Sequence, residues 1–110
     1  MAKEPIIMVG AIEAPKDEEK YNKWYNETHG PMLLKYPGLL EIRRYKLVTD
    51  APGQPKYFNI MVFADKKALD GYTNSPERAA ALEEVKISWP EGPAKVQFAG
   101  KYELIKDLKK

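Results

Sequence analysis

Four short apolar segments alternate with helical patterns, and their order along the chain limits the possible folds more than any other feature. The apolar segments, rich in β-forming residues, are 5–12, 39–49, 57–64 and 95–105. Helical spacing fills the first and last gaps, whereas the loop 50–55 joins the two middle strands. This β-α-β-β-α(α)-β order predicts a ferredoxin-like α+β domain, in which a four-stranded antiparallel sheet carries helices on one face.

The first helical pattern begins at Asp17, a good N-cap residue, and meets an interruption at Gly30-Pro31. Pro31 has no N–H group, and its ring crowds the carbonyl of Glu27. The helix is therefore expected to kink or end beside His29.

The chain is expected to form one domain over residues 1–110, because this length is ordinary for one domain and short for two. The third strand places an apolar pair, either Met61 with Phe63 or Ile60 with Val62, on the uncovered face of the sheet. An apolar sheet face of this kind calls for a partner. We therefore expect a homodimer. A small domain buries a small share of its surface alone, and contact with a second copy buries more.

Charge and composition exclude several functions. The 18 basic and 16 acidic residues are interspersed and leave a net charge of +2, so no nucleic-acid partner is expected. The chain has no cysteine and one histidine, so no metal site is expected either. The first apolar segment is too short to span a membrane and lacks the layout of a signal peptide, which predicts a cytoplasmic protein without a membrane partner.

His29 is the first candidate for chemistry, because an imidazole with a pKa of ~6.5 suits proton transfer near neutral pH. It lies at the edge of a helical stripe that contains Tyr25, Thr28 and Met32, and it directly precedes the glycine–proline break. The alternative is structural: a histidine at a helix end can bind free carbonyl groups or favour the helix dipole.

Aromatic side chains are dense around His29, and polar residues occur among them. Such a set can line an apolar pocket with a few polar groups, although a place in the core is the commoner role for any one aromatic residue. Arg43-Arg44 places one guanidinium on each face of the second strand, and the inward one needs an acidic partner or an anionic ligand. Asn59 is either a hydrogen-bonded core amide or a ligand contact. The aromatic candidates are Tyr21, Trp24, Tyr25, Tyr72 and Trp89.

The stretch 21–32, YNKWYNETHGPM, followed by Tyr36-Pro37-Gly38, resembles the signature of the EthD-like branch of the dimeric α+β barrel superfamily. Within that branch, Arg43-Arg44-Tyr45 and the late Trp89 look most like the REDY-like HapK group, which is associated with prodigiosin-type pigment pathways. The order of elements agrees as well, so the resemblance covers nearly the whole chain.

The resemblance implies a dimer whose two sheets pack face to face into a barrel, with a pocket in each subunit between sheet and helices. Relatives include cofactor-free lactone isomerases, polyketide cyclases and small monooxygenases. In the isomerase relatives the histidine of this motif lies in the active site, which implies a role for His29. Many EthD-like chains have a tyrosine four residues after the Pro-Gly glycine, where this chain has Ile42; Tyr45 lies three residues further on.

Three hypotheses result. The first is a cofactor-independent cyclase, isomerase or related proton-transfer enzyme acting on a small hydrophobic, oxygenated molecule. In it, His29 shuttles the proton, Tyr25 or Tyr45 hydrogen-bonds a carbonyl or enolate, and Trp24 and Trp89 form opposite walls. The second is a binding protein for a pathway intermediate, and the third is a dimerisation domain without a ligand; a small cofactor-free monooxygenase is an alternative within the first. The further expected substrate contacts are Tyr21, Met32, Arg44, Asn59 and Tyr72.

Overall fold

The computed structural model describes residues 6–49 and 51–110, and it has the predicted order of elements. The strands are β1 (Ile6–Ile12), β2 (Leu39–Lys46), β3 (Tyr57–Phe63) and β4 (Val96–Glu103). The helices are α1 (Glu18–Trp24), α2 (Gly30–Leu33), α3 (Lys66–Tyr72) and α4 (Pro76–Ser88). Strands β2 and β4 end before the predicted limits, while Pro5 of the predicted first strand and Asp50 of the predicted loop lie outside the described residues.

All three strand pairs are antiparallel, and the sheet order is β2-β3-β1-β4. Burial alternates along β3, so that Asn59, Met61 and Phe63 lie on the buried face while Ile60 and Val62 lie on the other. This settles which pair faces away from the helices. The predicted ferredoxin-like sheet is confirmed.

Side-chain caps begin the helices as their sequences suggest. The carboxylate of Asp17 accepts a hydrogen bond from the N–H of Lys20 at 3.1 Å, and the hydroxyl of Ser75 accepts from the N–H of Arg78 at 3.1 Å. The longest helix, α4, has 13 residues. Over the described part of the chain, no helix is both long and apolar enough to cross a bilayer.

The helices pack on the sheet through two apolar clusters. The leucine-rich cluster lies towards α2, α3 and α4 and contains Leu33, Leu39, Met61, Phe63, Leu69, Tyr72 and Ala81. The tyrosine cluster lies under α1 and contains Ile12, Tyr21, Tyr25 and Tyr57, with Trp24 and Trp89 packed against it. Burial of these side chains supplies the main favourable free energy that fastens α1 to the sheet.

Of the two predicted outcomes at His29, a kink or an end of the helix, the helix does not end. It widens into a π-helical turn over Tyr25–His29 and then continues as α2. The N–H of Gly30 reaches back five residues to the carbonyl of Tyr25. A wider turn accommodates Pro31, whose ring would otherwise meet the carbonyl four residues earlier. A side chain at position 30 would lie 3.0 Å from the carbonyl oxygen of Tyr25, which favours glycine there.

The face of the sheet opposite the helices carries a second apolar surface. We call it the open face; its members on the four strands are Ile7, Val9, Ala11, Tyr45, Phe58, Ile60, Val62, Phe98 and Tyr102. Tyr45, Phe98 and Tyr102 remain 45%, 45% and 52% exposed. This is more apolar surface than one side of a small sheet usually presents to water.

Candidate functional site

The π-helical turn fixes the imidazole of His29 between two aromatic rings. His29 stacks on Trp24 with ring centroids 4.7 Å apart and an angle of 20° between the planes. It meets Tyr25 edge-on, with centroids 4.9 Å apart. The ring therefore has little freedom to rotate, which suits a group that must hold a proton in a defined direction.

Burial lowers the pKa of His29 from 6.5 to about 4. The carboxylate of Glu84 opposes this shift, while the charge of Arg44 adds to it. At neutral pH the imidazole is therefore uncharged, and it binds a proton more weakly than a free histidine does. Its Nδ1 atom is buried and has no hydrogen-bond partner among the described residues.

Glu84 joins α4 to the aromatic cluster, a contact that sequence reasoning missed. Its carboxylate accepts a hydrogen bond from the indole Nε1–H of Trp24 at 2.8 Å and another from the hydroxyl of Ser88. Glu84 and Ser88 share one side of α4, because they are four residues apart. The sequence therefore indicates that Glu84 and Ser88 can contact each other. It does not indicate that Trp24, 60 residues earlier, contacts Glu84.

Arg44 is the inward member of the arginine pair, and Arg43 ion-pairs with Glu41 at 3.1 Å on the open face. The guanidinium of Arg44 donates hydrogen bonds from Nη1 to Asn26 Oδ1 at 2.8 Å and from Nη2 to Asn22 Oδ1 at 2.9 Å. Within the described ranges it forms no ion pair with a carboxylate. Its positive charge is thus held by neutral groups.

Aromatic rings complete the surroundings of this cation. The guanidinium lies 4.4 Å from the ring centre of Tyr25 and 5.7 Å from that of Tyr57. The hydroxyl of Tyr57 donates to Glu18 Oε1 at 2.6 Å and accepts from Asn22 Nδ2 at 3.0 Å. Asn22 and Tyr57 thereby connect Arg44 to the carboxylate of Glu18. The sequence did not predict that Asn22 and Asn26 bind Arg44. Their spacing of four residues, which places them on one side of the helix, was the signal available.

On the sheet, Asn59 and Gly10 lie in one row with Arg44 and line neither of the two cavities described below. Asn59 lies directly across from Arg44 on β2 and from Gly10 on β1, so the three share one face. The Oδ1 atom of Asn59 is buried without a partner among the described residues. A side chain at Gly10 would meet no atom within 4 Å, which shows open space above the middle of the sheet.

Four buried side-chain polar atoms lack a hydrogen-bond partner among the described residues: His29 Nδ1, Arg44 Nε, Asn59 Oδ1 and Trp89 Nε1. All four residues were candidates from the sequence. An unsatisfied buried polar group costs about 1–3 kcal/mol, so such groups mark places where a ligand or water binds. We call His29, Arg44 and Asn59, together with Tyr25, the central site.

Two cavities open beside these residues. One, of about 340 Å³, lies between the π-helical turn, α2 and β2 and is lined by Tyr25, Asn26, Gly30, Pro31, Leu34, Ile42 and Arg44. The other, of about 700 Å³, lies at one end of the sheet and includes Trp89. His29 lines neither of them. Its contact with the smaller cavity runs through Tyr25, whose ring it touches.

Three predicted site residues lie elsewhere. Tyr45 is on the open face, away from His29 within the subunit. Tyr72 packs against Phe63 at 5.1 Å in the leucine-rich cluster, and Met32 packs against the same cluster.

Trp24 and Trp89 also differ from expectation. The two indoles touch each other edge to face, with centroids 5.7 Å apart, and do not face each other across a pocket. Tyr21 contacts both of them and Tyr25. Within residues 6–49 and 51–110, no group of three or more carboxylate or histidine side chains is arranged to hold a metal ion.

No protein-family model and no curated protein sequence matches the chain. Several solved structures do. HapK from Hahella chejuensis superposes with a TM-score of 0.70 at 11% identity, over 96% of this chain and 97% of that one. An EthD family protein from Bacillus halodurans C-125 superposes with a TM-score of 0.66 at 19% sequence identity, over 87% of this chain and 96% of that one.

SnoaB from Streptomyces nogalater, a cofactor-independent oxygenase, gives a TM-score of 0.67 at 13% identity over 98% of this chain and 100% of that one. At these identities the similarity establishes the fold. EthD and HapK proteins are both among the structural neighbours, as the sequence motif predicted.

We predict that the single histidine signal in an NMR titration has its midpoint near pH 4, because burial disfavours the charged ring. The unfolded chain binds the same proton near pH ~6.5. Between these values the unfolded state holds more protons, so the free energy of unfolding decreases as pH falls, by on the order of 1–2 kcal/mol for this partly exposed ring. The variant His29→Gln should lack this part of the pH dependence. A midpoint at pH 6.5 or above would contradict the buried neutral imidazole.

Proposed function

We propose that this protein is a cofactor-independent enzyme that moves a proton on a small hydrophobic, oxygenated molecule bound in the central site. One observation carries the proposal: a neutral histidine with a buried, unpaired nitrogen lies near an arginine that no carboxylate of the described residues neutralises. A base and a cation arranged in this way suit the removal of a proton from carbon next to a carbonyl group.

His29 acts as the base in its Nε2–H tautomer. Its Nδ1 atom accepts the proton from carbon, and the electron pair of the broken C–H bond moves into the substrate as an enolate. The imidazolium formed in this step is stabilised by the carboxylate of Glu84, whose charge raises the pKa of His29. Return of the proton to a different atom completes an isomerisation, whereas attack of the enolate on a second carbonyl of the same substrate forms a ring.

Arg44 stabilises the enolate oxygen through its unpaired Nε–H group. Tyr25 supplies a second donor: burial raises its pKa to about 12, so the hydroxyl keeps its proton at neutral pH. Because Asn22 and Asn26 hold the guanidinium from the other side, Arg44 need not reorganise as the negative charge develops. Preorganised donors of this kind are a large contribution to catalysis.

The size and lining of the smaller cavity restrict the substrate. About 340 Å³ accommodates a molecule of one or two rings, and Pro31, Leu34 and Ile42 provide apolar contacts. The fold similarity to SnoaB, a cofactor-independent oxygenase, supports chemistry without a cofactor on this fold. An oxygenase would add molecular oxygen to the same enolate, so both reactions begin with the same proton removal.

A second candidate function is binding without chemistry. It is favoured by the position of His29, which lines neither cavity and is covered on two sides by Trp24 and Tyr25. In that case the unpaired groups hold a pathway intermediate and the imidazole only accepts a hydrogen bond from it.

Exchange of carbon-bound hydrogen separates the two functions. We predict that the protein accelerates deuterium exchange next to the carbonyl of 2-tetralone, monitored by NMR in D₂O. His29→Gln should lower this acceleration by about 10²–10⁴, the usual contribution of a positioned base. Arg44→Gln should lower it too, whereas Lys67→Gln, at an exposed position of α3, is the control and should not. Saturable binding of 2-tetralone without exchange would favour the binding protein, and full exchange by His29→Gln would refute the proposed base.

We further propose that the protein is a homodimer joined through the open face. A standard stable interface buries about 1,200–2,000 Å² in total, which two copies of this apolar surface can supply. The largest exposed side chains on it are Tyr45, Phe98 and Tyr102.

We predict that sedimentation at micromolar concentration gives twice the chain mass of 12.6 kDa. Ile60→Lys should shift the protein to a monomer, because it places a charge at the centre of the open face. Ile87→Lys is the control, since Ile87 lies on α4 and is 81% exposed. A wild-type monomer, or equal effects of the two substitutions, would contradict the face-to-face dimer.

A further inference from the structure

We propose that the larger cavity, at the end of the sheet, is a second ligand site that binds a small aromatic carboxylate. This cavity of about 700 Å³ lies between the loop from β1 to α1 and the loop from α4 to β4. It shares no lining residue with the smaller cavity. The inference is therefore independent of the function proposed for the central site. Its volume is in the range of small-molecule sites.

The walls of this end cavity are held in place by backbone contacts. The N–H of Glu13 donates to the carbonyl of Lys95 at 2.9 Å, which ties one loop to the other. The N–H of Gly92 donates to the carbonyl of Trp89 at 2.9 Å, in a turn that Gly92 makes with a φ of 89°. The buried Pro15 further stiffens the first loop. A preformed site of this kind loses little entropy when a ligand binds.

Trp89 provides the aromatic surface. Its ring centroid lies 6.1 Å from that of Tyr21 and 5.7 Å from that of Trp24, so the indole is fixed from one side. The Nζ atom of Lys20 lies 4.4 Å from the ring centre. The indole Nε1–H is buried and has no acceptor among the described residues. The N–H group is therefore enclosed by the protein, and the indole ring is the part of Trp89 offered to a ligand.

The charge of the lining favours an anion. The lining has a net charge of +1, because it contains three lysines and two glutamates: Lys16, Lys20, Lys95, Glu13 and Glu91. None of the five side chains forms an ion pair in the described structure. The three lysines are exposed, so each can reach a ligand, at the entropic cost of ordering a long side chain.

These features together select a flat ring that carries a carboxylate. The ring stacks on Trp89 and displaces the ammonium group of Lys20, which then pairs with the carboxylate at the edge of the ring. A cationic ligand would be repelled by the lysines. An aliphatic ligand would not stack on the indole ring.

The experiment monitors the two indole N–H signals by ¹H–¹⁵N NMR during a titration with 2-naphthoate. The structure distinguishes the signals in advance, because Trp24 already donates to Glu84 and Trp89 has no partner among the described residues. The Trp89 signal should shift in a saturable way, because the ring of the ligand stacks on that indole, and the Trp24 signal should shift less. Lys20→Gln should weaken binding by about fivefold, the size expected of an exposed charge pair.

Three controls make the result decisive. Lys110→Gln, which removes an equal charge from the exposed C-terminal end, should leave the affinity unchanged. The uncharged 2-naphthamide should bind more weakly than 2-naphthoate. Arg44→Gln should not affect the titration, because Arg44 belongs to the central site. No saturable shift of the Trp89 signal at millimolar 2-naphthoate, or loss of binding in Arg44→Gln but not in Lys20→Gln, would overturn the proposal.

Discussion

The widened helical turn at residues 25–29 is the constraint on which the central site depends. An α-helix that continued unchanged would bring the ring of Pro31 against the carbonyl of Glu27, so the backbone takes an extra residue into the turn. The extra residue rotates α2 relative to α1. As a result His29 packs against both Trp24 and Tyr25, and Tyr25 lies over Arg44.

The electrostatics of the site depend on the groups that surround that turn. Arg44 keeps its charge among amide oxygens and aromatic rings, with no carboxylate in direct contact among the described residues, and this charge helps to keep His29 neutral. Glu84 acts in the opposite direction, from α4. Burial and Arg44 together outweigh Glu84, so the imidazole is uncharged at neutral pH. Unpaired buried polar atoms lower the stability of a protein, and this cost is common at binding sites.

The sequence predicted the fold well because alternating apolar patterns report directly on strands and helix faces. It predicted one arginine on each face, but the choice between them depended on a register shift between Leu39 and Glu41. Without that irregularity, strict alternation from the buried Leu39 would place Arg43 and Tyr45 towards the helices, and Tyr45 would have reached the pocket. Likewise, the contact between Trp24 and Trp89 depends on how α4 packs against the π-helical turn. Local sequence patterns do not predict the packing of two distant helices.

The central claim is that the buried, unpaired atoms of His29, Arg44 and Asn59 serve to bind a ligand and are not ordinary core contacts. A high-resolution crystal structure of the purified protein tests it most directly. We predict electron density, from a ligand or ordered water, within hydrogen-bond distance of His29 Nδ1, Arg44 Nε and Asn59 Oδ1. If these three atoms were instead hydrogen-bonded to other groups of the protein, they would be ordinary core contacts and the claim would be wrong.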